Sequence, residues 1–331
     1  MPRMIAALAT IAAAGIGAPS LSASPDVGDV DLAAERAAIG QFQDLDQRLQ
    51  DIGWKLVTGN AAFCPESLPA IGLQLQDMAS YGRPDIARAA LGLERDFAVQ
   101  TAAEGSPAGA IGTVARNVEI VRLERFDPNA WEAGDRLYWQ RLTRAHDHID
   151  AMLAEHGGIE IGLANGDSVR LIPVEACATR FELAGDGGRA VADGNRVVIG
   201  AAFPGFALDE ELFAAAVAHE LAHNFLKHSE WLDRNGRSRK NIRATEREAD
   251  RLMPWLLANA GYDPAAAARF FAEYRPSSGS VLFIPGSHPK WQDRMEAVEA
   301  EIPVIRRLMA ADGEADWSAH FRREIDPQER R

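Results

Sequence analysis

At 331 residues the chain is long enough for one large domain, or two smaller ones, with a proper core. Hydrophobic residues make up 47% and charged residues 25%, the balance of a soluble globular protein. The net charge of −13 argues against nucleic-acid binding, which needs a basic stripe, and the densest basic stretch, DRNGRSRKNIR (233–243), reads as a solvated loop.

In chain order, Arg3 precedes an uninterrupted apolar and small run, Met4 to Ala18. The run is shorter than the roughly 20 residues a membrane span needs, and Ala23 offers the end of a cleavage site. This is the layout of a secretory signal peptide over 1–23, which implies export to the periplasm or beyond. A mobile N-terminal helix or an uncleaved anchor is the other reading. No cysteine follows the run to carry a lipid, and no later segment is long and apolar enough to span a membrane.

Residues 31–58 carry Ile39, Phe42, Leu45, Leu49, Ile52 and Leu56 at helical spacing, an amphipathic helix that needs a partner surface. Residues 59–92 are mixed, with turns at CPESLP and YGRPD. From 94 short β-type runs alternate with Gly and Pro, 135–158 is helical by period, and 159–177 reads as a hairpin around Asn165-Gly166. Strands, one helix and strands again make a small α+β module. A further strand falls at Arg196–Gly200. Asp209 then caps a helix with Glu210 and Glu211 in its first turn. A second helix is expected over 244–260, with Thr245 and Glu248 at capping-box spacing. Gly261 ends it, Asp263-Pro264 opens a third, and a last helix lies near 290–310.

Cys64 and Cys177 are the two cysteines. In an exported protein an even count fits one disulfide; two unpaired buried cysteines are the alternative. Neither sits in a CxxC pair, which argues against zinc on thiolates.

The stretch AHELAHNFLKH (218–228) holds three of the eight histidines. His219, Glu220 and His223 form H-E-x-x-H, and residues four apart on a helix share a face. Two imidazoles at that spacing can bind one metal ion, with Glu220 one step round as base to a water. Glu246 and Asp250 are also four apart, on the next helix. Glu246 as ligand, with Asp250 accepting the other N–H of an imidazole, makes a His₂Glu site with an open fourth position, the arrangement of a catalytic zinc. His228 lies five residues after His223, so on a continuous helix it faces away and reads as structural. His146, His148 and His156 fall on a charged helix and are expected to be solvated.

Together DEELFAAAVAHELAHNFLKH, EREADRL, NAGYDP and SHPKWQDR resemble the M48 family of zinc metallopeptidases over about residues 188–305. That family pairs HExxH with a later E-x-x-A-D, often has a histidine at the position of His228, and carries a His-Pro with Arg six residues on, matched by His288, Pro289 and Arg294. The resemblance implies one Zn²⁺ on His219, His223 and Glu246, Glu220 as base, and His288 or Arg294 helping the oxyanion; His288 could instead anchor its loop. Two positions depart from the family pattern. Pro254 lies inside the ligand helix and should kink it near the carbonyl of Asp250. Asn224 stands where an apolar residue is usual, and is expected on the far side of the helix, bonded locally.

The middle module resembles a PDZ-like domain: EGSPAGAIG (104–112) looks like the start of a peptide-binding segment and 135–156 like its second helix, although Arg116 and Asn117 replace the usual Gly-Asp. Some exported M48-like proteins carry such an insertion with a cysteine on either side. The expected organisation is a signal peptide (1–23), a helical segment packing on the peptidase domain (24–93), the PDZ-like module (94–175) and the peptidase domain (176–331). The expected fold class is α+β, a mainly helical zincin-type domain with a short sheet plus the small module. The expected function is an exported zinc endopeptidase acting on protein or peptide substrates, in envelope protein quality control, with the Arg196–Gly200 strand pairing an extended substrate. The alternative is an inactive protease scaffold acting as a peptide-binding or chaperone-like protein. No nucleic-acid partner is expected, and the sequence leaves the oligomeric state open.

Overall fold

The structure is a computed structural model that describes residues 28, 30–134, 137–274 and 291–326. The proposed signal peptide and His288 lie outside the described residues. The fold is mixed α+β with small sheets.

Helix α1 (Leu32–Gly59) begins where Asp31 accepts hydrogen bonds from the N–H groups of Ala33 and Ala34. Its C-terminal half buries Leu49, Ile52, Leu56 and Val57 in the main core. Its N-terminal half departs from the apolar spacing: Gln43 and Asp46 are buried, while Phe42 and Leu45 are only partly so. Gln100 Nε2 donates to Asp46 and Gln43 Nε2 donates to Asn117, so this half of the helix docks through amides. Buried polar groups are tolerated there because they satisfy one another.

The chain continues through β1 (Ser67–Ala70), β2 (Leu73–Asp77), α2 (Pro84–Leu91), β3 (Phe97–Ala102), β4 (Ile120–Leu123), α3 (Gln140–His156), β5 (Ile159–Leu163), β6 (Ser168–Leu171) and β7 (Val174–Cys177). Strand β2 pairs antiparallel with β3, and β4, β5 and β6 form an antiparallel sheet with Gly166 at φ +92° in the β5–β6 turn. A second core unites Ile71, Leu73, Leu75, Phe97, Ile120 and Ile149, among others. This core begins at Ile71, ahead of the expected boundary at 94. The chain enters the module by β1 and leaves by β7, and these two strands pair as an antiparallel stem (Ser67 opposite Cys177).

Strands β8 (Arg180–Ala184), β9 (Ala190–Ala192) and β10 (Arg196–Gly200) form a three-stranded sheet in the order β8-β10-β9. Helices α4 (Glu210–Phe225), α5 (His228–Asn235), α6 (Arg239–Asn259), α7 (Ala266–Tyr274), α8 (Trp291–Asp312) and α9 (Trp317–His320) complete the fold. Asp209 caps α4 through Leu212 N–H. Helix α6 starts five residues before the expected position because Ser238 caps it through Asn241 N–H; Thr245 lies inside the helix and bonds back to the Ile242 carbonyl. The basic stretch expected as a loop therefore forms the end of α5 and the start of α6. Helix α6 runs on through Pro254, which is buried. The core joins α1, α4, α6, α7 and α8. No helix among the described residues is long and apolar enough to cross a membrane.

Candidate metal centre

Helix α4 is buried nearly all round from Leu212 to Phe225. An Ala-rich helix can pass so close to its neighbours because it brings little side-chain bulk. On its face toward α6, His219 and His223 meet Glu246. The two imidazole Nε2 atoms are 3.3 Å apart, His219 Nε2 lies 3.4 Å from Glu246 Oε2, and His223 Nε2 lies 3.5 Å from Glu246 Oε1. Tetrahedral ligands at about 2.0–2.1 Å from one ion stand roughly 3.3 Å from each other. His219, His223 and Glu246 thus form a group that could hold a metal ion.

Each imidazole is held from behind. His219 Nδ1 is 3.1 Å from Asp250 Oδ1, and Asp250 is gripped by Arg294 through Nε and Nη2, at 2.6 and 2.5 Å. This puts Asp250 where the sequence placed it, one helical turn after Glu246. It changes the reading of Arg294, whose guanidinium lies on Asp250 and over the Phe271 ring, at 4.4 Å, and holds the carboxylate that aims His219. Burial pulls His219 down, but Asp250 and Glu246 outweigh it and carry the ring up to about 10 in the absence of a cation. Burial, with two other histidines beside it, pushes His223 down to about 3. Asp250 is held below the usual carboxylate range, because Arg294 and His219 outweigh its burial.

Glu220 is buried, and desolvation pushes its carboxyl up to about 7 although His219 opposes the shift. The Ala192 N–H faces it and pulls the other way. Along the β9–β10 ladder Asp193 donates to the Arg196 carbonyl and Gly200 to the Arg189 carbonyl. By alternation Ala190 and Ala192 point their backbone groups away from β10. Among the described residues no strand pairs with this side of β9, which runs past Glu220. The strand expected to pair with substrate, Arg196–Gly200, is the central strand and has both edges filled; among the described residues β8 and β9 are the edge strands, and β9 is the one beside Glu220.

Two further expectations change. Asn224 faces away from the metal group but bonds at long range: its Oδ1 accepts Gly194 N–H at 2.8 Å and its Nδ2 donates to Arg196 O at 3.0 Å. His228 faces His223. Lys227 takes left-handed φ/ψ (55°, 40°) and breaks the helix, so His228 folds back with its Nδ1 3.0 Å from His223 Nδ1. No periodicity argument reaches that contact, because it depends on where one helix stops. Glu248, read as a cap, is the buried partner of His228.

Away from this group, a cleft of about 630 Å³ lies between α1, β2, α3 and the β7–β8 turn. Its module wall is Ile71–Gln74 with His146, Ile149 and Leu153 of α3. Residues 104–112 brace this wall from behind, where Ala108 N–H donates to the Ile71 carbonyl. His146 is not solvated as expected: Leu75 N–H donates to its Nε2, and burial, with Arg180 nearby, pulls the ring down to about 4. His156 is exposed. Cys64 and Cys177 are free thiols; Cys64 Sγ donates to the Ala61 and Glu66 carbonyls, the influence of Cys177 lowers Cys64, and burial pushes Cys177 up.

No family model matches this chain, and no curated protein or solved structure matches it. The arrangement of its own side chains carries the functional argument. Two imidazoles and a carboxylate face one point, and a buried carboxylate poised near neutrality and the outer side of β9, unpaired among the described residues, lie beside them.

Proposed function

We propose that the chain is a zinc-dependent endopeptidase of the M48 type. The observation that carries this reading is the convergence of His219, His223 and Glu246, with ligand atoms 3.3–3.5 Å apart, next to the buried carboxylate of Glu220. Two neutral imidazoles and one carboxylate are the donor set of a catalytic zinc. When bound, zinc supplies a Lewis acid that polarises a carbonyl and acidifies water.

The chain's own residues do the rest. Glu220 accepts a proton from the attacking water and returns it to the leaving amine. Its elevated pKa suits both halves of that transfer. The outward backbone groups of Ala190 and the carbonyl of Ala192 hold an extended substrate by strand addition, so specificity for unfolded segments follows from main-chain pairing. Asp250, backed by Arg294, fixes the orientation of His219. The apolar run Met4–Ala18 supports export, and action on damaged envelope proteins is the role proposed with it.

The test is the metal content of the purified protein, with casein hydrolysis measured before chelation, after chelation and after zinc is restored. One zinc per chain with chelator-reversible hydrolysis is the expected result. Hydrolysis indifferent to chelation counts against the reading. A second reading, a peptide-binding protein on an inactive scaffold, draws on the cleft between β2 and α3 of the PDZ-like module. It predicts peptide binding that survives loss of the metal.

A further inference from the structure

The C-terminal segment reaches the metal centre through a chain of hydrogen bonds. Glu248 is wholly buried and all its partners are donors. Its Oε1 accepts the N–H groups of Glu324 and Ile325 at 2.5 and 2.8 Å, and its Oε2 accepts Arg323 Nη2 at 2.8 Å. The same Oε2 lies 3.1 Å from His228 Nε2, and His228 Nδ1 lies 3.0 Å from His223 Nδ1. Ile325 packs on Trp231 and Leu232, and the Trp231 indole donates to the Asp326 carbonyl, so the segment is fastened on both sides of Glu248.

With His228 neutral, these contacts admit one assignment of protons. A carboxylate surrounded by donors is ionised and only accepts, so His228 Nε2 carries its hydrogen. In the neutral ring His228 Nδ1 is then an acceptor, which requires the hydrogen of His223 on Nδ1. That leaves the lone pair of His223 on Nε2, the nitrogen facing His219 and Glu246. We propose that Arg323–Ile325, Glu248 and His228 are positioning residues that fix the tautomer and aim of His223, making the C-terminal segment part of the metal centre. The inference rests on the metal-binding reading of His219, His223 and Glu246. It gives His223 the counterpart of what Asp250 does for His219, with His228 bridging from Glu248 to His223.

The experiment measures Zn²⁺ affinity by chelator competition on the purified full chain, with circular dichroism of the metal-free protein as the check on folding. His228→Leu removes both hydrogen bonds and is expected to weaken zinc by about 10–100-fold, the range for lost partners of a ligand imidazole. In His228→Gln the amide oxygen can accept from His223 and the amide nitrogen can donate to Glu248. That variant should stay within about threefold of wild type. Truncation after Arg322 is expected to weaken zinc to a similar extent as H228L. Wild-type affinity in H228L or in the truncated chain overturns the proposal and leaves the metal site standing. Equal weakening in H228L and H228Q also overturns it, since shape and not hydrogen bonding would then matter. Should H228L fail to fold, Arg323→Ala reads the same chain from its partly exposed end; severalfold weaker zinc is expected, and an unchanged affinity overturns the proposal. A wild-type chain that takes up no stoichiometric zinc defeats the metal reading itself, and the inference with it.

Discussion

Asn224 Oδ1, on the helix that carries both histidines, accepts the Gly194 N–H at 2.8 Å in the β9–β10 turn. The same side chain donates to Arg196 O. One buried amide thus fixes the distance between α4 and the strand edge that passes Glu220. Asn224→Ala leaves two backbone groups without this partner, and should cost about 1–3 kcal/mol of stability. Zinc content should be unchanged, while KM for a long unfolded substrate rises more than KM for a short peptide. Urea unfolding and steady-state kinetics check this; equal effects on both substrates would detach the clamp from substrate binding.

Asp250 offers the second prediction. Asp250→Asn keeps the shape of the side chain but not the charge that meets His219 and Arg294. Zinc affinity is expected to fall by about 10–100-fold, and stability to fall because the buried ion pair of Asp250 with Arg294 is broken. His219→Ala and Glu246→Ala, by contrast, remove a ligand atom and should abolish stoichiometric zinc. Isothermal titration of the metal-free variants separates the two grades of loss.

Acid should destabilise the chain in two windows. Burial lowers His146 from 6.5 to about 4, so the folded state prefers the neutral ring. Its contribution is complete above pH 6.5 and is lost as pH falls through about 4. Glu248 is lowered from 4.5 to about 2: its burial would raise it, but His228 and Arg323 outweigh that. Its contribution is complete above pH 4.5 and is lost as pH falls through about 2. In the metal-free protein His223 is lost over the same upper window, while His219 and Glu220, both raised, contribute in the opposite direction, so the His146 share is read as the difference in urea midpoint between wild type and His146→Gln. That difference should narrow as pH falls from 6.5 through about 4; a difference that does not change with pH would mean that His146 does not titrate there.

The helical frame and the metal group were legible in the sequence because both rest on local periodicity. Asp209 caps the helix it was expected to cap, and the i, i+4 spacings of His219/His223 and Glu246/Asp250 place their side chains as read. What was missed depends on contacts between distant segments. Gln43 and Asp46 face the module because their partners, Asn117 and Gln100, arrive from far along the chain. His228 was read as facing away on the assumption of a continuous helix, and the left-handed Lys227 reverses that. The pairing order β8-β10-β9 leaves an edge on β9, and three short strands do not announce their order.

Cys64 and Cys177, both free thiols, stand at the stem where the module joins the rest of the chain. Mild oxidation should join them and remove both thiols from a titration together. Closing so long a loop should stabilise the chain by about 2–4 kcal/mol. A Cys177→Ser chain should show no such gain. Oxidation that lowers the urea midpoint would mean that the native geometry does not accept the bond.

The central claim turns on Glu220. Glu220→Gln keeps the side-chain shape and leaves His219, His223 and Glu246 untouched, but it cannot accept the proton. Zinc stoichiometry and casein hydrolysis should be measured side by side in wild type and variant. The account predicts one zinc per chain in both, with hydrolysis in the variant reduced by about 10²–10⁴-fold. A variant that keeps its zinc and cleaves casein at the wild-type rate would contradict it.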